Sequence, residues 1–331
     1  MKLRGGSNPA SVYKGCGIVS NLKMGNLSLK RFVKVRNLHA QRYKRSEVTT
    51  AFGFLTPSVV LASLFIVLPI ILAFTYAFTD YYLLKPNAKQ FIGMNNFTRM
   101  LTDEVLRTSF FNTLKFVVLV VPLQLSMALG LALIANKKIK GNSFFRAAYF
   151  SPAVLSLVVI SILWTVMLNP TSGLMNQMLA NIGLPKQPFL TSSSQAMLSI
   201  VFISAWSGCG YQMMIFLAGL KNIDPSLYEA ADIDGANTWH KFLYITLPSL
   251  KPITMFLVIT TTIQAFKLIV QPMVMTGGGP DYSTITILQY IYEYGFRHRN
   301  IGYASAITLV FTVFLVVVSI GIKKLFKEEA A

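Results

Sequence analysis

Long apolar runs, each close to the length of a membrane-crossing helix, recur along this 331-residue chain and constrain its fold more than any other feature. A helix needs about 20 apolar residues to cross roughly 30 Å of hydrocarbon, whereas runs of about 10–14 residues are typical of buried core helices. We therefore predict an all-α, polytopic membrane protein with six transmembrane spans, at residues 54–78, 111–135, 144–168, 197–220, 252–275 and 304–322.

The predicted spans divide the chain into three parts. Residues 1–50 form a basic tail that is not apolar enough to span a membrane, residues 51–325 form the transmembrane domain, and residues 326–331 form a short C-terminal tail. Within the transmembrane domain, residues 221–249 form a polar loop between the fourth and fifth spans.

Lysines and arginines are shared unevenly between the two sides of the predicted membrane. Most lie in the N-terminal tail, in the loops after the second and fourth spans, and at the C-terminus. Because cytoplasmic segments carry an excess of basic residues, both termini and the 221–249 loop are predicted to be cytoplasmic. The net charge of +18 then fits basic edges that meet anionic lipid, and no nucleic-acid partner is expected.

The sequence shows no constellation typical of an enzyme or a metal site. His39, His240 and His298 fall on both sides of the predicted membrane. The glycine-rich segment at 276–280 lacks the Gly-Lys-Ser/Thr ending of a phosphate-binding loop, and we predict a turn there. We expect no catalytic residue, metal or cofactor in this chain. If ATP powers the protein, another subunit must hydrolyse it.

The 221–249 loop contains the sequence YEAADIDGANTWHKF and predicts two short helices. Asp224 can cap a first helix over 226–234, and Gly235 suits the left-handed residue that ends it. A second helix with an apolar face is predicted over 236–246, with Pro248 ending it. The pattern predicts a helix-turn-helix elbow on the cytoplasmic face. The alternative interpretation is an elbow that lies on the lipid surface.

The segment EAADIDGANTWHKFLYITLP resembles the EAA signature of permease subunits in binding-protein-dependent ABC importers. The signature is matched at Glu229, Ala230, Ala231, Gly235, Ile245, Leu247 and Pro248. The resemblance implies the type I importer permease fold, in which the elbow is a coupling helix that docks into a groove on an ATPase subunit. It implies ATPase-coupling roles for Glu229, Ala230, Ala231, Asp234, Gly235 and Ala236.

Other segments, including MTGGGPDYSTITILQYIYEYGF, resemble the maltose-type carbohydrate branch of this family. The resemblance implies a permease that forms, with a second and different permease, the path for an oligosaccharide or sugar derivative. It also implies two ATPase subunits that hold ATP and magnesium, an external sugar-binding protein, and a location in the bacterial plasma membrane.

In this family the spans on either side of the elbow line the transport path, and both carry polar residues here. The candidates for the substrate path are Ser204, Trp206, Gly208, Tyr211, Gln212, Thr261, Gln264 and Lys267. Tyr211 and Gln264 are the foremost of these, because each offers hydrogen bonding beside the elbow. Each candidate has a packing role as its alternative, since polar residues also hold membrane helices together, and Lys267 can snorkel to the interface.

Two further interpretations stay open from the sequence. An ABC importer permease for a solute other than a sugar would share the coupling signature. A secondary transporter would carry buried acids at mid-membrane, and the predicted spans contain no Asp or Glu.

Overall fold

The computed structural model of the chain describes residues 50–137 and 140–328, so the predictions for the two tails lie almost entirely outside the described residues. The described part is helical, with two isolated β-bridges, Thr79 with Phe91 and Tyr82 with Asn300. The helices in chain order are α1 (Thr50–Tyr76), α2 (Asn95–Thr102), α3 (Glu104–Asn136), α4 (Asn142–Val154), α5 (Leu157–Met167), α6 (Leu174–Asn181), α7 (Ala196–Lys221), α8 (Pro225–Ile233), α9 (Thr238–Lys241), α10 (Leu247–Ser249), α11 (Lys251–Phe266), α12 (Val270–Met275), α13 (Ile287–Tyr292) and α14 (Ile301–Glu328).

The chain divides into two compact units, Met1–Ile70 and Ile71–Ala331. The described residues of the first unit are the first 21 of α1, a strongly apolar stretch with a π-helical turn at Ser63–Val67. Their side chains are exposed, and Phe54 is 82% exposed. Exposed apolar side chains of this kind suit a helix that lipid surrounds.

Five described stretches are long and apolar enough to cross a membrane: α1, α3, α7, the α11–α12 stretch and α14 as far as Lys324. The predicted third span is instead split into α4 and α5, which meet at 99°. At about 1.5 Å per residue, neither half alone crosses 30 Å of hydrocarbon. The described chain therefore has six spans when the bent pair counts as one.

The bend in the third span follows from the backbone between its two helices. Pro152 lies in the last turn of α4, and the next residues after the helix, Leu155 and Ser156, have extended backbone. The prediction of one continuous helix over 144–168 was wrong, because proline lacks an N–H and its ring crowds the carbonyl four residues before it.

The fifth span is also broken, between α11 and α12. Pro272 cannot donate to the carbonyl of Leu268, which would be its partner in a continuous helix. The Thr286 hydroxyl donates to that buried carbonyl instead, at 2.7 Å. The prediction of a continuous helix over 252–275 was therefore wrong, and Lys267 lies exposed at the break.

The core of the second unit lies around α7, which is buried along most of its length and packs against α3 and α4. Gly210 allows the closest approach: an added Cβ there would collide with the backbone of Tyr149 and Phe150 in α4. Large side chains of α7 fill the space on either side, among them Ile200, Ile203, Met213 and Phe216.

A hydrogen-bonded cluster around Asp103 joins α3 to α13 and α14. One Asp103 oxygen caps α3 by accepting from the Leu106 N–H at 3.0 Å, and the other accepts from the hydroxyls of Tyr290 at 2.5 Å and Tyr303 at 2.7 Å. The Arg99 guanidinium lies 4.2 Å from the centre of the Tyr303 ring. Partial burial opposes ionisation, but the hydrogen bonds outweigh it and hold the pKa of Asp103 below its ordinary value.

Candidate functional site

The first half of the elbow forms as the sequence predicts, one residue earlier than expected. Asp224 caps α8 by accepting from the Ser226 N–H at 2.9 Å. Hydrogen bonds from the Ser226 N–H and hydroxyl lower the pKa of Asp224. Gly235 follows α8 with a φ of +74°, and an added Cβ would meet no atom within 4 Å. The left-handed backbone, and not lack of space, is therefore what favours glycine at this position.

The second half of the elbow continues further than expected. Asn237 caps α9 by accepting from the His240 N–H at 2.8 Å. A π-helical turn at Phe242–Thr246 follows, and α10 comes directly after it. The prediction that Pro248 ends the helix was wrong. Pro248 lies in the first turn of α10, where a missing N–H costs little, so the chain runs on into α11.

Two side-chain contacts brace the elbow. The Tyr228 hydroxyl on α8 is hydrogen-bonded to the Thr246 hydroxyl in the π-helical turn at 2.8 Å. Lys241 of α9 forms an ion pair with Asp232 of α8. Thr246 is buried, and its hydroxyl also donates to the Lys241 carbonyl at 3.3 Å. These contacts hold the two halves of the elbow in one arrangement.

The predicted coupling residues lie on the outside of this braced elbow. Glu229, Ala230, Asp234 and Gly235 are exposed, while Ala231 and Ala236 are half-buried. Large apolar side chains are exposed beside them: Ile233 is 88% exposed, Tyr244 75% and Trp239 64%. An exposed surface that mixes carboxylates, small residues and large apolar groups suits contact with another protein or with a membrane surface.

A polar cavity of about 190 Å³ lies where α3, α7 and the break in the fifth span meet. Phe116, Val120, Leu157 and Leu268 contribute to its apolar wall. The polar side chains that line it are Gln124, Ser204, Ser207, Thr261, Gln264, Lys267 and Gln271.

Five of the eight predicted path residues line this cavity: Ser204, Gly208, Thr261, Gln264 and Lys267. Gln264 and Lys267 are exposed, so their polar ends are available to a solute. The Ser204 hydroxyl accepts from the Gln271 amide at 3.2 Å. The break in the fifth span thus places polar groups from both sides of it in one cavity.

The other three predicted residues lie elsewhere. The Gln212 amide donates to the Thr261 hydroxyl at 2.5 Å and ties α7 to α11. Trp206 packs edge-on against Trp164, with the ring centres 5.6 Å apart. Tyr211 is 55% exposed on another face of α7 and does not line the cavity. Contact between Tyr211 or Gln264 and a sugar stays a prediction.

Gln124 of α3 is a cavity residue that is absent from the sequence-based candidates. Its side chain lies so close to Gly208 that an added Cβ there would collide with the Gln124 amide. The available signal was a carboxamide inside the second predicted span, where polar groups seldom face lipid. Its place beside Gly208 depends on how α3 packs against α7, which the sequence alone does not specify.

The chain matches the model of a known family, "binding-protein-dependent transport system inner membrane component", over residues 46–327. The lactose transport system permease protein LacF of Rhizobium radiobacter is 36% identical over 282 residues, which are 83% of this chain and 94% or less of that protein, namely 93%. The arabinooligosaccharides transport system permease protein AraP of Bacillus subtilis is 32% identical over 290 residues, 86% of this chain and 91% of that protein.

A solved structure shares the fold as well. It is a bacterial alginate ABC transporter in complex with an alginate pentasaccharide-bound periplasmic protein, and one of its chains superposes with a TM-score of 0.71 at 25% identity. The match covers 85% of this chain and 94% of that one. The helical fold, the elbow and these matches lead to one conclusion: the chain belongs to the family of inner-membrane components of binding-protein-dependent transport systems, the ABC importer permeases.

Proposed function

We propose that the chain pairs with a second, different permease to form the path by which carbohydrate is imported, with ATP hydrolysis on separate subunits as the driving force. The observation that carries the proposal is the continuity between elbow and cavity. The exposed elbow leads through α10 directly into α11, which lines the polar cavity. A partner that moves the elbow therefore acts on the cavity wall through a few turns of helix.

The chemistry of the cavity supports carbohydrate as the substrate. Carboxamides and hydroxyls from α3, α7 and α11 can donate to and accept from sugar hydroxyls. The names of LacF and AraP refer to lactose and arabinooligosaccharides, and the solved relative imports alginate. An ABC importer permease for a solute other than a sugar is the second candidate, and the uptake experiment below separates the two.

The proposed partners are two ATPase subunits, the second permease and an external sugar-binding protein. The sequence contains no phosphate-binding loop, so ATP and magnesium are assigned to the ATPase subunits. The basic residues favour a cytoplasmic elbow and cytoplasmic termini in a bacterial plasma membrane. In this arrangement the binding protein delivers the sugar from outside, and closure of the ATPase pair moves the elbow.

The proposed role of the elbow is to receive that movement. The exposed Glu229 carboxylate can accept charge-assisted hydrogen bonds from an ATPase subunit, and the small side chains of Ala230 and Ala231 allow close approach. Movement of α8 and α9 then shifts α11 and opens the cavity to one side of the membrane at a time. This chain carries out no covalent chemistry in the proposed cycle.

The test is uptake of labelled sugars by liposomes that contain the complete complex, with ATP inside and the binding protein outside. We expect ATP-dependent accumulation of carbohydrate, and we expect Glu229→Ala to reduce both uptake and binding-protein-stimulated ATP hydrolysis. Accumulation of only non-carbohydrate solutes would support the second candidate. Wild-type uptake and stimulation in the Glu229→Ala complex would instead favour the elbow that lies on lipid.

A further inference from the structure

Lys267 is the one charged side chain among the described residues that line the cavity. It is exposed, and it follows the last residue of α11 at the break in the fifth span. Its N–H donates to the Gln264 carbonyl at 3.0 Å, which fixes the backbone from which the side chain extends. The break that opens the cavity thus also places a positive charge at its wall.

Acidic side chains are scarce in the membrane-spanning part of the described chain. The span-forming helices α1, α4, α5, α7, α11, α12 and α14 as far as Lys324 contain no Asp or Glu, and α3 carries only Glu104, as its first residue. Among the described ion pairs, none involves Lys267. A lysine inside a membrane protein is costly unless it is hydrated or meets a negative charge.

The neighbours of Lys267 suit an anion that also carries hydroxyls. Gln264, Gln124 and Thr261 offer amide and hydroxyl groups on the same cavity. An ammonium group forms short, charge-assisted hydrogen bonds with carboxylate and phosphate oxygens, while the amides can bind hydroxyls of the same molecule. A neutral sugar would use the amides and leave the lysine without a negatively charged partner.

Resting on the proposed function, we infer that the imported carbohydrate is anionic, with a carboxylate or phosphate group that Lys267 meets during passage. The permease cavity thereby selects against neutral sugars, because a neutral occupant displaces water from the lysine without replacing its charge interaction. The same site chemistry accommodates a uronic acid and a sugar phosphate, and the choice between them is left to the test.

The first experiment identifies the charge of the substrate. Liposomes that contain the complex, with its binding protein outside, are offered three labelled pools: neutral maltooligosaccharides and arabinooligosaccharides, oligogalacturonides and oligomannuronates, and sugar phosphates. We expect ATP-dependent uptake from one of the two anionic pools. Uptake from the neutral pool alone would overturn the inference and keep the proposed function, whereas no uptake from any pool would overturn both.

The second experiment tests Lys267 itself. We expect Lys267→Gln to lower the uptake of the anionic sugar by about ten- to a hundredfold, the usual scale for losing a hydrogen bond to a charged group. Lys267→Arg keeps the charge and should retain most of the uptake. Lys186→Gln, an exposed lysine outside the cavity, makes the same chemical change and should leave uptake unaltered.

Copurification of the ATPase subunits with each variant separates loss of transport from loss of assembly. If Lys267→Gln assembles and imports the anionic sugar at the wild-type rate, the inference fails. Lys267 would then serve only α11, where a cation interacts favourably with the carbonyls at the end of a helix. Equal loss of uptake in Lys267→Arg and Lys267→Gln would also contradict a role that rests on charge.

Discussion

At the scale of single residues, two positions in this chain are determined by backbone conformation or hydrogen bonding more than by hydropathy. Gly235 was predicted as the left-handed residue of the elbow, and its φ of +74° confirms this. The role of Asp103 as an acceptor for two tyrosine hydroxyls was not predicted, because Tyr290 and Tyr303 lie far from it in sequence. Local turn chemistry can be read from neighbouring residues, whereas such long-range contacts depend on packing.

Gly235 and Gly130 offer a matched pair for testing that conformational requirement. An added Cβ meets no atom within 4 Å at either position, but only Gly235 has a left-handed backbone. We expect Gly235→Ala to destabilise the elbow by about 1–2 kcal/mol and to reduce stimulated ATP hydrolysis. Gly130→Ala lies inside α3 and should stabilise that helix by up to about 1 kcal/mol. Thermal unfolding of the purified complexes and their ATPase rates would reveal the opposite signs.

The Asp103 cluster should make stability depend on pH in the acidic range. Its pKa is lowered in the folded protein, so the carboxylate contributes stability above the ordinary Asp pKa of about 3.9, and the contribution is lost as pH falls below that value. Thermal unfolding between pH 7 and pH 3 should therefore show a steeper loss for the wild type than for Asp103→Asn. Asp281→Asn, at an exposed site, should follow the wild-type profile. Parallel profiles for Asp103→Asn and the wild type would contradict this linkage.

At the scale of helices, the sequence predicts where the spans lie better than how they are interrupted. Hydropathy identifies each apolar run but averages over the backbone, so the breaks in the third and fifth spans were not predicted. Pro152 and Pro272 were the visible signals in both cases. Whether a proline bends a span depends on what satisfies the freed carbonyl, and for Leu268 that donor is Thr286, 18 residues further along the chain.

The brace between α8 and the π-helical turn should matter for coupling. Tyr228→Phe and Thr246→Val each remove the hydrogen bond between these two hydroxyls, which is worth about 0.5–1.5 kcal/mol. We expect each variant to import less sugar per ATP hydrolysed, and the double variant to be little worse than either one. Tyr244→Phe is the control, because its hydroxyl makes no hydrogen bond among the described residues and the side chain is 75% exposed. Fully additive losses in the double variant would show that the two hydroxyls act independently.

At the scale of the whole molecule, the topology depends on whether the bent pair α4–α5 crosses the membrane. The 99° angle is compatible with a broken span or with a re-entrant loop. The even number of spans and the cytoplasmic termini that we predict both require a crossing. The charge distribution that supports this topology was visible in the sequence, but the bend was not.

Cysteine accessibility decides between these two arrangements. In a background with Cys16 and Cys209 replaced, Ser143→Cys lies just inside the start of α4 and Thr171→Cys lies shortly after α5, and both sites are exposed. We expect a membrane-impermeant thiol reagent to label position 171 in intact cells and position 143 only after the membrane is opened. Labelling of both sites from the same side would mean that the pair re-enters, and the chain would then have five spans.

The closed set of contacts inside the elbow has a consequence for protein engineering. The caps at Asp224 and Asn237, the Asp232–Lys241 ion pair and the Tyr228–Thr246 hydrogen bond all fall within residues 224–246. A chimera that exchanges 224–249 as one cassette with a related permease keeps every internal contact of the donor. A graft that stops at Gly235 separates Tyr228 and Asp232 from the residues that hold them. Retargeting this importer to a foreign ATPase should therefore succeed with whole cassettes and fail with half ones.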